Sequence, residues 1–169
     1  SIIVKDDNNC QATGTININN TGGVTIDQVT PTNPSCNGIC DGSIQVTASN
    51  GTTPYTYTWK DNNGNTVGGN SNSVSGLCSG NYTITITDAN NCVSNQNTTL
   101  VEPAPVTVTA PSDKTICAGE SITLSASNYG GATISWDNSI TNGVPFTPTA
   151  TTTFTVTASV GACQATDQV

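Results

Sequence analysis

Two parts of one stretch decide the fold: residues 36–64 read CNGICDGSIQVTASNGTTPYTYTWKDNNG, and residues 76–92 read GLCSGNYTITITDANNC. Aromatic and β-branched side chains alternate with Thr over Tyr55–Trp59 and over Tyr82–Thr87, as in strands that bury one face. Asn63-Gly64 is a hairpin turn signal between two such runs. No segment shows an apolar period of 3.6 residues. The stretch therefore predicts an all-β unit with tight turns.

Similar runs recur on both sides of this stretch and divide the chain into two halves, each with about seven short strands. We predict an all-β fold of tandem immunoglobulin-like β-sandwich domains, stapled by disulfides. Trp59 and Trp136 lie on the third run of their halves, where such a sandwich buries its central Trp, so we expect both to be core anchors. The remaining predicted strands are Val24–Val29, Ser43–Ala48, Val106–Thr109, Ser121–Ser125, Thr133–Trp136 and Thr153–Ala158.

The sequence also repeats itself. Residues 4–10 read VKDDNNC and residues 86–92 read ITDANNC, so Cys10 and Cys92 lie 82 residues apart in equivalent contexts. A third echo ends in Gly-Ala-Cys at Cys163. Self-similarity at a fixed period indicates a tandem array.

This register predicts three segments. Residues 1–21 are the last strands of a preceding repeat, residues 22–104 are a complete repeat, and residues 105–169 are a second, shorter immunoglobulin-like domain. A short, stiff linker is expected at residues 101–105, VEPAP, because Pro fixes φ and cannot continue a strand ladder.

Seven cysteines in a chain without His or Met indicate structural disulfides and an oxidising compartment. The register pairs cysteines within each domain and leaves one without a partner. The predicted bonds are Cys36–Cys92, Cys40–Cys78 and Cys117–Cys163, with Cys10 bonded to a cysteine upstream.

Other arrangements of the cysteines stay open. Cys36–Cys40 with Cys78–Cys92 is the main rival, although its small loops gain less from loop-closure entropy. Cys10 as a free reactive thiol is another. Zinc is disfavoured because the paired Cys-x-x-Cys knuckles of zinc sites are missing from the sequence.

Charge and composition restrict the partners. The chain has three Lys, no Arg and a formal net charge of −8. Binding to nucleic acid needs clustered cations, so no nucleic-acid partner is expected. The sequence has no apolar run long enough to insert into a membrane, and a basic patch for anionic lipid is missing too.

The linked motifs of residues 36–92 quoted above resemble the SprB repeat, a family found in very large gliding-motility and cell-surface adhesins of Bacteroidota. Residues 105–169 resemble the immunoglobulin-like domains that accompany such repeats. The resemblance implies export by the type IX secretion system and an extracellular, outer-membrane-attached filament on a Gram-negative cell. The chain departs from the family at residues 50–54, NGTTP, where a Gly-Gly pair and a double Pro are usual, and we expect an altered loop in an unchanged fold.

Three Asp-containing loops have the spacing of oxygen ligands for Ca²⁺. Asp61 with Asn63 and Asn65 lacks the glycine and the terminal Glu of an EF-hand, so we interpret it as a turn. Asp-x-Asn-Asn-Cys recurs twice, and a capped turn before the cysteine is the favoured interpretation. The candidate Ca²⁺ ligands are Asp88, Asn90, Asp6 and Asp7; no other cofactor is expected.

Tyr55 is the candidate for stacking on a sugar, although its position on the strand of Trp59 favours a place in the core. No catalytic residues are predicted. Without His, a Ser-His or Cys-His nucleophile is impossible in this sequence, and we expect no enzyme activity.

Three functions are compatible with these features. The preferred one is a structural stalk or filament segment of a large secreted cell-surface adhesin, whose partners are neighbouring repeats of the same chain. The alternatives are a carbohydrate-binding module for surface polysaccharide or substratum, and a subunit of a strand-exchanged, pilus-like filament.

Overall fold

A computed structural model describes residues 2–15 and 22–169, and these residues form strands, turns and loops without a helix. The strands fall into an isolated hairpin and two larger groups, each with its own apolar cluster. We call β3–β8 the first sandwich and β9–β15 the second sandwich. The predicted all-β, immunoglobulin-like fold is confirmed.

The first sandwich packs two antiparallel three-stranded sheets, in the orders β3-β4-β6 and β5-β7-β8. These are the groupings of strands A, B and E and of strands C, F and G in an immunoglobulin-like sandwich. Residues 62–72, a loop rich in Asn, Gly and Ser, stand where a seventh strand was expected. The strands are β3 (Thr25–Thr32), β4 (Gly42–Ser49), β5 (Thr56–Asp61), β6 (Ser73–Leu77), β7 (Gly80–Thr87) and β8 (Val93–Leu100).

Strict alternation along β7 produces the core of the first sandwich. Tyr82, Ile84 and Ile86 point inward and are buried, while the Thr residues between them are half-buried. Ile84 lies opposite Trp59 in the ladder of β5 and β7, and the Trp59 side chain is fully buried. The Trp59 indole N–H donates to the Ser71 carbonyl at 2.9 Å, so burial leaves no unpaired donor.

A tyrosine corner fixes the crossing from β6 to β7. The Tyr82 hydroxyl, near the start of β7, donates to the carbonyl of Cys78 at 2.9 Å. Immunoglobulin-like sandwiches carry such a tyrosine at the corresponding corner. The contact ties the short Cys78–Gly80 connection to the core.

The second sandwich is smaller and has a split strand. The sheet β12-β14-β15 faces two short pairs, β10-β13 and β9-β11. Asn142 bridges the gap between β10 and β11, because its side-chain oxygen accepts the N–H of Ala126 at 2.8 Å and the indole N–H of Trp136 at 3.0 Å. The strands are β9 (Thr107–Thr109), β10 (Ile122–Thr123), β11 (Ser127–Tyr129), β12 (Thr133–Trp136), β13 (Pro145–Phe146), β14 (Thr155–Val160) and β15 (Cys163–Gln168).

An antiparallel hairpin, β1 (Ile2–Lys5) with β2 (Gln11–Gly14), precedes the first sandwich. Its apolar side chains lie in solvent: Ile2, Ile3 and Val4 are 53%, 56% and 62% exposed. The 82-residue repeat aligns Ile2 and Val4 with Ile84 and Ile86, which are buried in β7.

The tyrosine corner predicts a specific cost. Tyr82→Phe keeps the buried ring but leaves the Cys78 carbonyl without its donor, so we expect a loss of about 1–2 kcal/mol in the free energy of unfolding. Urea denaturation followed by Trp fluorescence measures it. Tyr57→Phe is the control, because Tyr57 also packs against the core but its hydroxyl has no partner among the described residues. Equal midpoints for the two variants would contradict the assignment.

Candidate functional site

Three turns of the molecule share one five-residue architecture that begins with Asp. In each turn the third and fifth backbone N–H groups donate to the Asp Oδ1 at 2.8–2.9 Å. The fourth N–H donates to the Asp carbonyl, and the Asp N–H donates to the fifth carbonyl. The turns are Asp6–Cys10, Asp61–Asn65 and Asp88–Cys92.

The fourth position of each turn has a left-handed backbone. Asn9 and Asn91 have φ of 63° and Gly64 has φ of 81°. Asn and Gly tolerate this conformation better than other residues do, which explains the recurring Asn-Asn and Asn-Gly pairs. The candidate Ca²⁺ residues Asp6 and Asp88 therefore serve as turn acceptors in this structure.

Asp88 differs from the other two because it is buried, with 4% of its surface exposed. Its second oxygen accepts the backbone N–H of Thr52 at 3.1 Å, and the Asn90 amide donates to the Thr52 hydroxyl at 2.8 Å. A Cβ on Gly51 would lie 2.6 Å from Asp88 Oδ2, so the loop approaches closely only with glycine there. Asp88 thus joins the β7–β8 turn to the β4–β5 loop.

Ca²⁺ binding at these turns stays a prediction. Both Asp88 oxygens already accept backbone N–H groups, and Asp7 occupies the exposed second position of its turn. Across residues 2–15 and 22–169, no three His, Cys, Asp or Glu side chains are grouped so that they could hold a metal ion.

Two disulfides are formed, and one of them joins the two sandwiches. Cys40 is bonded to Cys78 within the first sandwich. Cys36 is bonded to Cys163 of the second sandwich, 127 residues away. The structure thus differs from the predicted bonds Cys36–Cys92 and Cys117–Cys163. Cys10, Cys92 and Cys117 are free thiols.

Strand length explains why Cys36 does not reach Cys92. Cys92 directly precedes β8, whereas the loop that holds Cys36 lies where β8 finishes: Asn33 accepts the N–H of Val101, and the Asn37 amide donates to the Pro103 carbonyl. Eight residues of strand span about 25 Å, and a disulfide needs Cα atoms within about 7 Å. The sequence repeat indicates which cysteines occupy equivalent positions, but it does not reveal that Cys36 and Cys92 lie at opposite ends of the first sandwich.

The same reasoning separates Cys117 from Cys163. Cys163 begins β15, and Val169 at the other end of β15 pairs with Phe154, whose ring packs against Phe146. Phe146 is the ladder partner of Ile122, just after the turn that holds Cys117. Six strand residues, about 20 Å, therefore lie between the two cysteines.

Residues 33–41, which we call the junction loop, carry Cys36 to the boundary between the sandwiches. Ser35 N–H donates to Asp41 Oδ1 at 2.7 Å, which closes the base of the loop. Hydrogen bonding from the Ser35 side chain, followed by that from its backbone N–H, holds the pKa of Asp41 below its usual value. The Cys40–Cys78 bond anchors one side. Cys36 to Ile39 form a turn with Gly38 at φ 76°, and Cys36 sits at its first position.

The linker after β8 is held against the junction loop by three hydrogen bonds, and a further contact joins it to Ser79. The Val101 N–H donates to the Asn33 side chain at 2.9 Å, and the Asn37 amide donates to the Pro103 carbonyl at 3.2 Å. One Glu102 oxygen accepts the Gly38 N–H, and the other lies 3.5 Å from the Ser79 hydroxyl. The junction therefore combines a covalent bond with hydrogen bonds on both sides of Glu102.

The sequence alone did not reveal the roles of several of these residues. Glu102 was interpreted only as part of a Pro-rich linker, and Asn33 and Asp41 were not singled out. An acidic side chain inside an apolar Pro-rich linker was the available signal, because it needs donors nearby. Nothing in the sequence showed which loop would supply them.

Tyr55, the candidate for sugar stacking, is half-buried against the core cluster, and its hydroxyl donates to the Asn50 carbonyl. Two shallow surface depressions of about 390 and 340 Å³ lie elsewhere, one over Thr, Ser and Gln side chains of β3, β4 and β6 and one beside the Asp61 turn. Sugar stacking by Tyr55 stays a prediction.

Comparison with known proteins finds one matching family model and several similar solved structures. Residues 28–64 match the family described as the SprB repeat, as the sequence resemblance predicted. No curated protein matches the chain. Among solved structures, "Sidekick-1 immunoglobulin domains 1-5" is similar with 14% identity and a TM-score of 0.44, over 89% of this chain and 38% of that one. The "amphioxus IgVJ-C2 molecule" is similar with 15% identity and a TM-score of 0.31, over 85% of this chain and 96% of that one.

The chain therefore spans well under half the length of the first of these structures. The SprB repeat is a repeat of cell-surface adhesins, and the match concerns a structural repeat rather than an enzyme family. Of the residues the structure describes, none belong to a helix that is long and apolar enough to cross a membrane.

Asp88 predicts how stability responds to acid. Burial alone would raise its pKa, but the N–H donors of Cys92, Thr52 and Asn90 outweigh burial, so the pKa is lowered. A depressed carboxyl pKa contributes stability above its unfolded value, about 3.9, and that contribution is lost as the pH falls through the folded pKa. We expect the urea midpoint to decrease below about pH 4.

Asp88→Asn should lower the urea midpoint at neutral pH, because an amide has one acceptor oxygen where both Asp88 oxygens accept N–H groups. It should also flatten the dependence of the midpoint on acid, because an amide carries no charge that protonation could remove. Asp6→Asn is the matched control: the same turn lies on a hairpin that buries little, so global unfolding should not change. An Asp88→Asn variant as stable as the Asp6→Asn variant would contradict the role of Asp88.

The junction disulfide predicts the outcome of cleavage at the three lysines. Lys60 and Lys114 divide the chain so that Cys36 and Cys40, Cys78 and Cys92, and Cys117 and Cys163 fall into successive fragments. A Lys-specific protease under denaturing, non-reducing conditions, with free thiols blocked, should leave residues 6–60, 61–114 and 115–169 covalently joined. Release of 115–169 as a separate fragment, with Cys117 bonded to Cys163, would contradict the structure; Cys163→Ser is the control that should release it.

Proposed function

Starting from the SprB repeat matched over residues 28–64, we propose that this chain is a load-bearing stalk segment of a large secreted cell-surface adhesin. The observation that carries the proposal is the junction, where Cys36–Cys163 and the bonds around Glu102 hold two sandwiches together. A ligand-binding module needs no such reinforcement between domains. A stalk does, because its junctions must transmit force.

The disulfides redirect tension through the molecule. With Cys36 bonded to Cys163, force applied at the two ends of the chain bypasses nearly all of both sandwiches. Cys40–Cys78 braces the junction loop itself, so that Cys36 cannot be drawn away from the core. The sandwiches can then lose contacts under load without the stalk lengthening.

We further propose three segments for the chain: the end of one repeat at residues 1–21, a complete repeat at residues 22–104, and a shorter immunoglobulin-like domain at residues 105–169. Support comes from the β1–β2 hairpin, whose Asp6 turn repeats the hydrogen bonds of the Asp88 turn. Its exposed Ile2 and Val4 correspond to core residues of β7. Residues 16–21 lie outside the described residues.

An extracellular location agrees with the SprB match and with two disulfides, which persist in oxidising surroundings. We propose display on a Gram-negative outer membrane, export by the type IX system, and a part in gliding motility or surface attachment. In this proposal the partners of the chain are neighbouring repeats, and contacts with polysaccharide or substratum lie on other parts of the adhesin.

Pulling the chain between its ends by single-molecule force spectroscopy tests the mechanical role. The oxidised chain should extend less than the reduced chain by about 430 Å, the extended length of the 127-residue separation bridged by Cys36–Cys163 at about 3.4 Å per residue.

Cys163→Ser supplies the control, since the oxidised variant should recover most of that length. Cys117→Ser should behave as the parent chain does. Equal extension of the oxidised and reduced parent chains would refute a load-bearing junction.

A further inference from the structure

The bond between the sandwiches joins two distinct kinds of position. Cys36 is the first residue of a Cys-x-Gly turn in the loop between the first two strands of its sandwich. Cys163 follows the turn between the last two strands of the next sandwich, where Val160 pairs with Cys163 across Gly161 and Ala162. Cys36 lies at the end of the first sandwich from which the chain leaves, which we call the outgoing end. Cys163 lies at the end of the second sandwich by which the chain enters, which we call the incoming end.

Cys117 repeats the first kind of position. The Glu120 N–H donates to the Cys117 carbonyl at 3.1 Å, as the Ile39 N–H donates to the Cys36 carbonyl at 3.2 Å. Gly119 has φ 86° where Gly38 has φ 76°. The Glu120 carboxylate also accepts the Cys117 N–H at 3.0 Å, which fixes the turn.

Cys92 and Cys10 repeat the second kind of position. Each ends an Asp turn between the last two strands of a repeat, as Cys163 follows the corresponding turn of the second sandwich. Cys92 lies beside Gly23, where the chain enters the first sandwich: a Cβ on Gly23 would be 2.9 Å from Cys92 Cβ. It is thus directed toward whatever unit comes before.

We propose that Cys10, Cys92 and Cys117 are junction cysteines that form the same bond as Cys36–Cys163 with neighbouring units. Cys92 and Cys10 each bond the Cys-x-Gly cysteine of the unit before their own. Cys117 bonds the cysteine that follows the turn between the last two strands of the unit after it. Every junction of the array is then covalently closed, and Cys40–Cys78 is the bond internal to a repeat. This inference deepens the proposed stalk and rests on it.

The chemistry of closure is ordinary thiol oxidation. Two thiols lose two protons and two electrons and form one S–S bond, while the disulfide of an exported thiol oxidase takes them up and becomes two thiols. The new bond arises through a mixed disulfide. Strand length excludes Cys92 and Cys36 as partners within one sandwich, so a correct partner exists only across a junction.

A chain extended by one upstream unit tests the inference. Because the repeat is 82 residues long, a second copy of residues 22–82 placed directly before Ser1 completes the preceding repeat and adds a second copy of Cys36. After oxidation with glutathione disulfide, which is reduced to two glutathione thiols, unreacted thiols are alkylated and the disulfide-linked peptides are identified by mass spectrometry. The intact 169-residue chain, in which Cys92 is alkylated, is the reference.

In the extended chain, alkylation of Cys92 should fall by more than about tenfold, because a tethered neighbour presents its cysteine at millimolar effective concentration. The Cys92 peptide should be linked to the added Cys36, and Cys10 should stay reactive. Cys36→Ser in the added copy alone should restore alkylation of Cys92.

Persistent alkylation of Cys92 in an extended chain that retains Cys40–Cys78 and Cys36–Cys163 would overturn the inference while leaving the stalk proposal intact. Linkage of Cys92 to the original Cys36 would overturn it as well. Loss of the Cys36–Cys163 linkage in the unextended chain would instead count against the proposed stalk itself.

Discussion

The length of an antiparallel strand is the constraint on which the arrangement of this chain depends. The junction loop leaves the first sandwich where β8 ends, and the Asp88 turn sits where β8 begins, so eight strand residues keep Cys36 and Cys92 apart. Cysteines in those two places cannot meet within one sandwich. They can meet across a boundary, where the outgoing end of one sandwich faces the incoming end of the next, as Cys36 and Cys163 do.

Hydrogen bonds and a disulfide fix the loops at both ends of a sandwich, so that their cysteines are held at the boundary with the next unit. At the outgoing end, Ser35 with Asp41 and the Cys40–Cys78 bond fix the junction loop, and Glu102 brings the linker back onto it. At the incoming end, a buried Asp88 organises the turn and fastens it to the neighbouring loop. Among the described residues the Asp turn recurs at three sites, and of these only the Asp88 carboxylate also bonds to another loop of its sandwich.

Sequence patterns predicted the strands that obey alternation. β4, β5 and β7 lie within a few residues of their predicted bounds, because their inward residues are large and apolar and their outward residues are mostly Thr. β6 was not predicted, since Ser73–Leu77 offers only Val74 and Leu77 to the core and has Gly76 at positive φ. The tyrosine corner at Tyr82 was not predicted either, because a hydrogen bond from a hydroxyl to a carbonyl four residues earlier leaves no periodic pattern in the sequence.

The cysteines show most clearly what a repeat register can and cannot provide. It predicts that Cys10, Cys92 and Cys163 occupy equivalent positions, but equivalent positions in a tandem array can bond within a unit or between units. That choice depends on which end of the sandwich each loop occupies, and therefore on the strand order in space.

NMR of the oxidised chain offers the most direct test of the disulfide arrangement, because cysteine Cβ chemical shifts distinguish thiols from disulfides residue by residue. We expect disulfide shifts at Cys36, Cys40, Cys78 and Cys163 and thiol shifts at Cys92 and Cys117. Disulfide shifts at Cys92 and Cys117 would contradict this arrangement.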